Sequence, residues 1–144
     1  MPNRHVHILL VEDDEVDVDF LLRAFVKANI ANKITVAHDG YEALEILKGE
    51  GGHQRLPRPY IILLDINMPR MNGLEFLRAL RQDAELGSSV VFMLTTSNAQ
   101  KDMLAAYDEH VAGYFLKQNI ATEFLALPNL LANYWRVVEF PVSR

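Results

Sequence analysis

Acidic, hydroxyl and amino side chains directly follow four of the five short apolar runs in this chain of 144 residues. They are Glu12 and Asp13 after the first run, Asp65 after the third, Thr95 after the fourth and Lys117 after the fifth. Carboxylates held close together repel one another and need a counter-charge. Mg2+ can supply it, because it prefers oxygen ligands, and the lysine can supply more. The pattern favours a cation site, with solvated loop acids and an unrelated lysine as the alternative.

The five apolar runs predict the strands that position these side chains. They are His7–Val11, Ile34–Ala37, Tyr60–Leu64, Val90–Leu94 and Ala112–Leu116. Runs without polar alternation are typical of strands buried on both faces of a parallel sheet. Because helix-period segments separate them, we predict an α/β fold, a doubly wound five-stranded parallel sheet with helices on both faces. In such sheets ligands bind at the carboxyl ends of the strands.

Two helix boundaries carry specific expectations. The first helix is predicted to begin after Asp14, whose carboxylate can cap it, and the last to run from about Thr122 to Val138. Pro128 lies inside that last segment, where proline removes a hydrogen bond and clashes with the preceding turn. Since proline is tolerated at the first helical position, we expect the segment to kink or to restart at Pro128.

Composition excludes several classes of protein. The mass of 16.4 kDa fits one domain, and the absence of cysteine excludes a disulfide scaffold, a thiolate metal site and a cysteine nucleophile. The net charge of −5 argues against binding to nucleic acid or to an anionic membrane. Neither a secretory signal nor an apolar stretch of roughly 20 residues stands out. We therefore expect a cytoplasmic protein.

Four sequence blocks, taken in order, resemble the receiver domain of two-component response regulators. They are Ile8–Asp14, Ile62–Pro69 with Met71–Gly73, Leu94–Thr96 and Tyr114–Lys117. The resemblance covers the chain from about Val6 to Leu131 and implies a flavodoxin-like strand order, 2-1-3-4-5. We assign the receiver domain to residues 5–131, and residues 132–144 to an extension of the last helix with an aromatic tail and no output domain.

The resemblance implies a role for each residue at the strand ends. Asp65 would be the phosphoacceptor, its carboxylate attacking a phosphohistidine of a sensor histidine kinase. Asp13, Asp65 and the backbone carbonyl of Asn67 would coordinate Mg2+, which Glu12 would reach directly or through water. Lys117 would pair with a phosphoryl oxygen. The chain would then be a signalling phosphoacceptor that assists its own phosphorylation and dephosphorylation, rather than an enzyme.

The same resemblance implies a switch. Thr95 would donate its hydroxyl to the phosphoryl group and move toward it, and Tyr114 would rotate inward into the space that opens. Asn67 and Ser97 would tune the access of the hydrolytic water. One departure concerns the residue after Lys117: the family usually has proline there, often with a cis peptide bond, whereas Gln118 follows here, so that the bend is absent or made differently.

The C-terminal segment carries more apolar side chains than one face of a sheet needs. Its aromatic residues beyond the expected end of the sheet predict an interface. We predict a homodimer built on the last helix, with the interface formed by Phe124, Leu131, Tyr134, Trp135, Val138 and Phe140.

Three further features resemble one subgroup, the stand-alone receivers paired with bacterial and cyanobacterial phytochrome histidine kinases. They are the segments Ala106–Val111, Leu94–Ser97 and Tyr134–Trp135. The predicted partner is therefore a bacteriophytochrome, with a downstream phosphotransfer protein as a further partner. Three alternatives remain: a chemotaxis-type or phosphorelay receiver with another kinase, a scaffold that never takes phosphate, and an aspartate-nucleophile phosphatase. The phosphatase needs a second aspartate two residues after the nucleophile, where this chain has Asn67.

Overall fold

A five-stranded parallel sheet forms the centre of the computed structural model, which describes residues 5–123 and 125–142. Its strands are β1 (His7–Val11), β2 (Ile34–Ala37), β3 (Tyr60–Leu64), β4 (Val90–Thr95) and β5 (Gly113–Leu116). They pair in the order β2-β1-β3-β4-β5. Every residue of β3 is buried, since it pairs on both edges and is covered on both faces. The predicted fold class and strand order are confirmed.

In the described part of the chain, six helices cover this sheet. They are α1 (Glu15–Lys27), α2 (Gly40–Lys48), α3 (Gly73–Gln82), α4 (Gln100–Asp108), α5 (Lys117–Thr122) and α6 (Ala126–Val137). One apolar core lies beneath α2, α3 and α4, and a second beneath α1, α5 and α6. The predicted cap of α1 is confirmed, because Asp14 accepts hydrogen bonds from the backbone N–H groups of Val16 and Asp17. None of these helices is long and apolar enough to cross a membrane.

The C-terminal helical segment is two helices rather than one. α5 follows β5 without a loop and ends at Thr122, so the prediction of a helix beginning near Thr122 is wrong. The predicted restart is confirmed two residues earlier than expected, at Ala126. Pro128 is the third residue of α6. N–H groups in the first turn of a helix have no intrahelical acceptor, so proline removes no helical hydrogen bond at this position. Gln118 lies within α5, and the one cis peptide bond of the described residues joins Arg58 to Pro59.

The C-terminal aromatic residues contact this chain's own core, so the premise that they are exposed is wrong. Leu131 and Trp135 have exposed fractions of 0% and 4%. The ring of Tyr134 packs edge-on against Phe92, with centroids 5.1 Å apart, and contacts Phe140 at 6.3 Å. α6 thus continues the core beyond the predicted boundary at residue 131, because Ala132 and Trp135 belong to the same buried cluster as the strands.

The remaining members of the predicted dimer interface are Val138 and Phe124. Val138 is only half-buried, and Phe124 lies outside the described residues. The dimer itself stays a prediction, without its premise of exposed aromatic side chains.

One arginine joins the ends of three segments on the α3 side of the sheet. The guanidinium of Arg81 donates to the carbonyls of Gly87 at 2.8 Å, Ser89 at 2.6 Å, Glu109 at 2.7 Å and His110 at 3.1 Å. Five N–H donors in a planar fork allow one side chain to satisfy several carbonyls at once. Arg81 therefore holds the end of α3 to the loop before β4 and to the end of α4.

We expect Arg81→Met to lower the free energy of unfolding by about 2–3 kcal/mol, because it leaves several partly buried carbonyls without a donor. Arg78→Met is the matched control, since Arg78 is exposed on the same helix. Urea unfolding followed by circular dichroism measures both variants. Equal unfolding midpoints for Arg78→Met and Arg81→Met would contradict the assigned role.

Candidate functional site

The carboxyl ends of β1 and β3 bring three carboxylates together, as predicted. Each of Glu12, Asp13 and Asp65 offers an oxygen, and these oxygens lie within 4.8 Å of one another. Glu12 and Asp65 are buried, whereas Asp13 is exposed. One ion between them can therefore contact all three and remain open to solvent. This donor set consists of hard oxygen ligands, so the residues fit a divalent cation of the Mg2+ class.

The ammonium group of Lys117 lies beside this cluster and contacts three carboxylates. Its Nζ is 2.6 Å from Glu12 Oε1, 2.7 Å from Asp17 Oδ2 and 3.2 Å from Asp65 Oδ2. Burial alone would lower the pKa of Lys117, but hydrogen bonds to Asp17 and Glu12 outweigh it and raise the pKa above its usual range. Lys117 is therefore a permanent cation at the carboxyl ends of β1, β3 and β5.

The carboxyl group of Glu12 is buried between Asp65 and Lys117. Burial raises its pKa to about 7, and Asp65 adds to the increase, although the hydrogen bond from Lys117 opposes it. A second hydrogen bond comes from the backbone N–H of Asp14, 3.2 Å from Oε2. Three carboxylates of the cluster stand beside one ammonium group, so a divalent cation would add counter-charge there.

The loop after β3 holds Asp65 in place through the start of α3. Asp65 Oδ1 accepts a hydrogen bond from the backbone N–H of Ile66 at 2.8 Å, and Oδ2 faces Lys117. The carbonyl of Ile66 in turn accepts the N–H of Gly73 at 2.8 Å. Asn72 caps α3 in a reciprocal arrangement with Glu75. Between these points Asn67 is exposed, two residues beyond Asp65.

An ion pair that sequence reasoning missed fixes the same loop to α2. Arg70, at φ +64°, places its Nε 2.7 Å from Oδ2 of Asp39 and its guanidinium 5.2 Å from the centre of the Tyr41 ring. Burial opposes ionisation of Asp39, but the N–H of Glu42 and the Arg70 guanidinium outweigh it and lower the pKa of Asp39. No motif separates Arg70 from other loop arginines, so only the structure identifies its partner.

The predicted switch residues meet around the loop after β4. Thr95 is fully buried, and its Oγ1 accepts the backbone N–H of Ser97 at 3.3 Å. The Tyr114 hydroxyl donates to the carbonyl of Ser97 at 2.8 Å, while the Ser97 hydroxyl donates to Asp102 at 2.5 Å. Thr95 and Tyr114 are therefore linked through Ser97. Burial raises the pKa of Tyr114, so its hydroxyl stays a donor.

The parallel sheet and its carboxylate and lysine side chains define a class, the receiver domains that take part in two-component signalling. The sequence profile of the response regulator receiver domain matches residues 8–127, and the chain belongs to this family. The resemblance stated from the motifs is thereby confirmed.

Named response regulators are similar to this chain over most of its length. Response regulator Rcp1 of Synechocystis sp. is 31% identical over 128 residues, covering 89% of this chain and 87% of Rcp1. A crystal structure of its Mn2+-bound form has a TM-score of 0.82 and 30% identity, covering 95% of this chain and 99% of that chain. The crystal structure of phosphorylated RcpA, a cyanobacterial phytochrome response regulator, has a TM-score of 0.84 and 29% identity. The match covers 96% of this chain and 100% of that chain.

A third relative comes from red light signalling in R. palustris. The response regulator RPA3017 has a TM-score of 0.83 and 32% identity, covering 96% of this chain and 99% of its own. The predicted likeness to receivers of phytochrome systems is confirmed by these relatives.

Proposed function

We propose that Asp65 accepts a phosphoryl group from the phosphohistidine of a sensor histidine kinase, and that the added charge changes the protein's contacts. A carboxylate oxygen of Asp65 attacks phosphorus, the P–N bond breaks, and its electron pair returns to the imidazole nitrogen. The supporting observation is the position of Asp65, beside two further carboxylates and 3.2 Å from the Lys117 ammonium. This arrangement brings a nucleophile, a cation site and a fixed positive charge together.

The neighbouring side chains have separate tasks in this proposal. Lys117 binds a phosphoryl oxygen as charge develops on it. Glu12, Asp13, Asp65 and the backbone carbonyl of Asn67 would hold Mg2+, which supplies further positive charge to the phosphoryl oxygens when bound. The hydrogen bond from Ile66 to Asp65 Oδ1 favours attack through Oδ2.

Signal output is proposed to pass through the loop after β4. The hydroxyl of Thr95 turns toward the phosphoryl group, which withdraws it from Ser97 and changes the support of the Tyr114 hydroxyl. This biases a two-state equilibrium by a few hydrogen bonds. Asn67 and Ser97, each two residues beyond a site residue, are the positions proposed to tune hydrolysis.

The proposed kinase is a bacteriophytochrome, acting in the cytoplasm, with a phosphotransfer protein as a further partner. Support comes from the phytochrome and red light systems of RcpA and RPA3017. A homodimer through α6 is also proposed, on different side chains from those expected. Leu130 and Val137 are seven residues apart on one helical face, with exposed fractions of 43% and 81%.

We expect wild-type protein incubated with acetyl phosphate and Mg2+ to gain about 80 Da by intact mass, the increment of one phosphoryl group. Asp65→Asn should show no gain, because the amide is not a nucleophile toward phosphorus. No gain in the wild type, or the same gain in both proteins, would overturn the proposal and favour the scaffold. Phosphotransfer from a panel of purified kinases then separates a bacteriophytochrome from other partners.

A further inference from the structure

Lys117 has a carboxylate partner that belongs neither to the predicted site nor to the cation cluster. Asp17, in the first turn of α1, places Oδ2 2.7 Å from Nζ of Lys117, closer than the 3.2 Å of Asp65. It is the third residue of α1, so the start of this helix places it on the Lys117 side of the site. The three acceptors around Nζ equal the three N–H donors of an ammonium group.

We propose that Asp17 is a positioning residue that holds Lys117 in the resting state and is displaced from it by the incoming phosphoryl group. This inference rests on the proposed phosphorylation of Asp65. Because all three donors are engaged, a phosphoryl oxygen gains a hydrogen bond from Lys117 only when one carboxylate releases it.

Exposure decides which carboxylate leaves. The exposed side-chain fraction is 1% for Glu12 and 6% for Asp65, but 35% for Asp17. A carboxylate that loses its partner must be solvated by water, which is costly for a buried group and cheap for an exposed one. Asp65 must also stay in place as the nucleophile. Asp17 is therefore the partner that gives way.

Asp17 consequently competes with the phosphoryl group for Lys117. Removing its charge frees one donor and leaves Glu12 and Asp65 to hold the ammonium beside the nucleophile. A residue with a merely structural role has the opposite signature, since its loss lets Lys117 move away and weakens binding of a phosphoryl group.

Binding of trifluoroberyllate, which mimics a phosphoryl group by coordinating a carboxylate oxygen through beryllium, tests this without phosphoryl transfer. In the presence of Mg2+, we expect Asp17→Asn to bind it about fivefold more tightly than wild type, the size of one partly exposed ion pair. Asp17→Glu should restore most of the wild-type affinity. Asp19→Asn is the matched control, since it removes the same charge from an exposed position two residues further along α1. Titrations followed by 19F NMR give all four affinities.

Each outcome decides the inference. Tighter binding in Asp17→Asn than in Asp19→Asn, with rescue by Asp17→Glu, supports it. Equal affinities in the two asparagine variants mean a general effect of charge, and weaker binding in Asp17→Asn means a structural role; both overturn it. Failure of the proposed function is recognised separately, because wild-type protein would then gain no mass with acetyl phosphate.

Discussion

Gly73→Ala is expected to destabilise the protein by at least about 3 kcal/mol and to reduce phosphorylation of the remaining folded protein more than tenfold. A Cβ at this position overlaps the carbonyl oxygen of Asp65 and lies 2.9 Å from the backbone carbon of Asp65 and from Cα of Ile66. Since these are backbone atoms, no side-chain rotation relieves the overlap. The start of α3 must instead move away from the proposed nucleophile.

The same substitution at Gly40 is the control. There a Cβ first meets the side chain of Met71, with Sδ at 2.7 Å and Cγ at 2.8 Å, and a flexible thioether can yield. We expect a cost of about 1 kcal/mol, and recovery in the double variant with Met71→Ala. Urea unfolding measures stability, and mass gain with acetyl phosphate measures the site. If Gly73→Ala had the stability and the mass gain of the wild type, the close approach of Gly73 to the backbone of Asp65 would not matter for either property.

The sheet and the site's central residues were predictable from sequence because the signals are local and repeated. Each strand is an uninterrupted apolar run, and parallel pairing brings the residues that follow these runs to one edge. Four of these strand ends are followed by carboxylate, hydroxyl or ammonium side chains, which can together bind a cation and an anion. The sequence therefore predicts that Glu12, Asp13, Asp65 and Lys117 lie together, and in the structure they do.

Contacts between distant segments were not predictable in the same way. Asp17 is one of several acids at the start of α1, and only the meeting of α1 with the end of β5 distinguishes it. The sequence does not distinguish Arg81 from the other arginines, because its role depends on four carbonyls from two other segments that meet around it. Sequence spacing gives the face of a helix but not what lies opposite.

The C-terminal segment shows a different difficulty. The spacing of its apolar residues predicts an apolar face, but not which residues pack against that face. The sequence predicts the apolar stripe, but it does not show that the aromatic residues of the stripe pack on this chain's own core rather than at an interface. In the structure Trp135 packs in one core cluster with Leu21 and Phe25 of α1. An apolar stripe thus predicts that this face of the helix is buried, but the stripe alone does not show which element packs against it.

Trp135→Ala is the second substitution with a large expected effect, a loss of about 3–5 kcal/mol in the free energy of unfolding. Trp135 is 4% exposed and packs in the same core cluster as Leu131 and Phe25. Truncation removes a large apolar contact and leaves a cavity between α6 and the sheet. Trp135→Phe should lose less, because it keeps most of the ring volume, and it remains measurable if the alanine variant does not fold.

Protein concentration separates this core role from the predicted dimer contact. A side chain in a protomer's own core changes stability equally at every concentration, whereas a contact between copies contributes more as concentration rises. We expect the difference between wild type and Trp135→Ala in urea to be the same over a hundredfold range of concentration. Asn129→Ala, at an exposed position of the same helix outside the proposed dimer face, should change stability by less than about 0.5 kcal/mol. A difference that grows with concentration would instead place Trp135 between two copies of the chain.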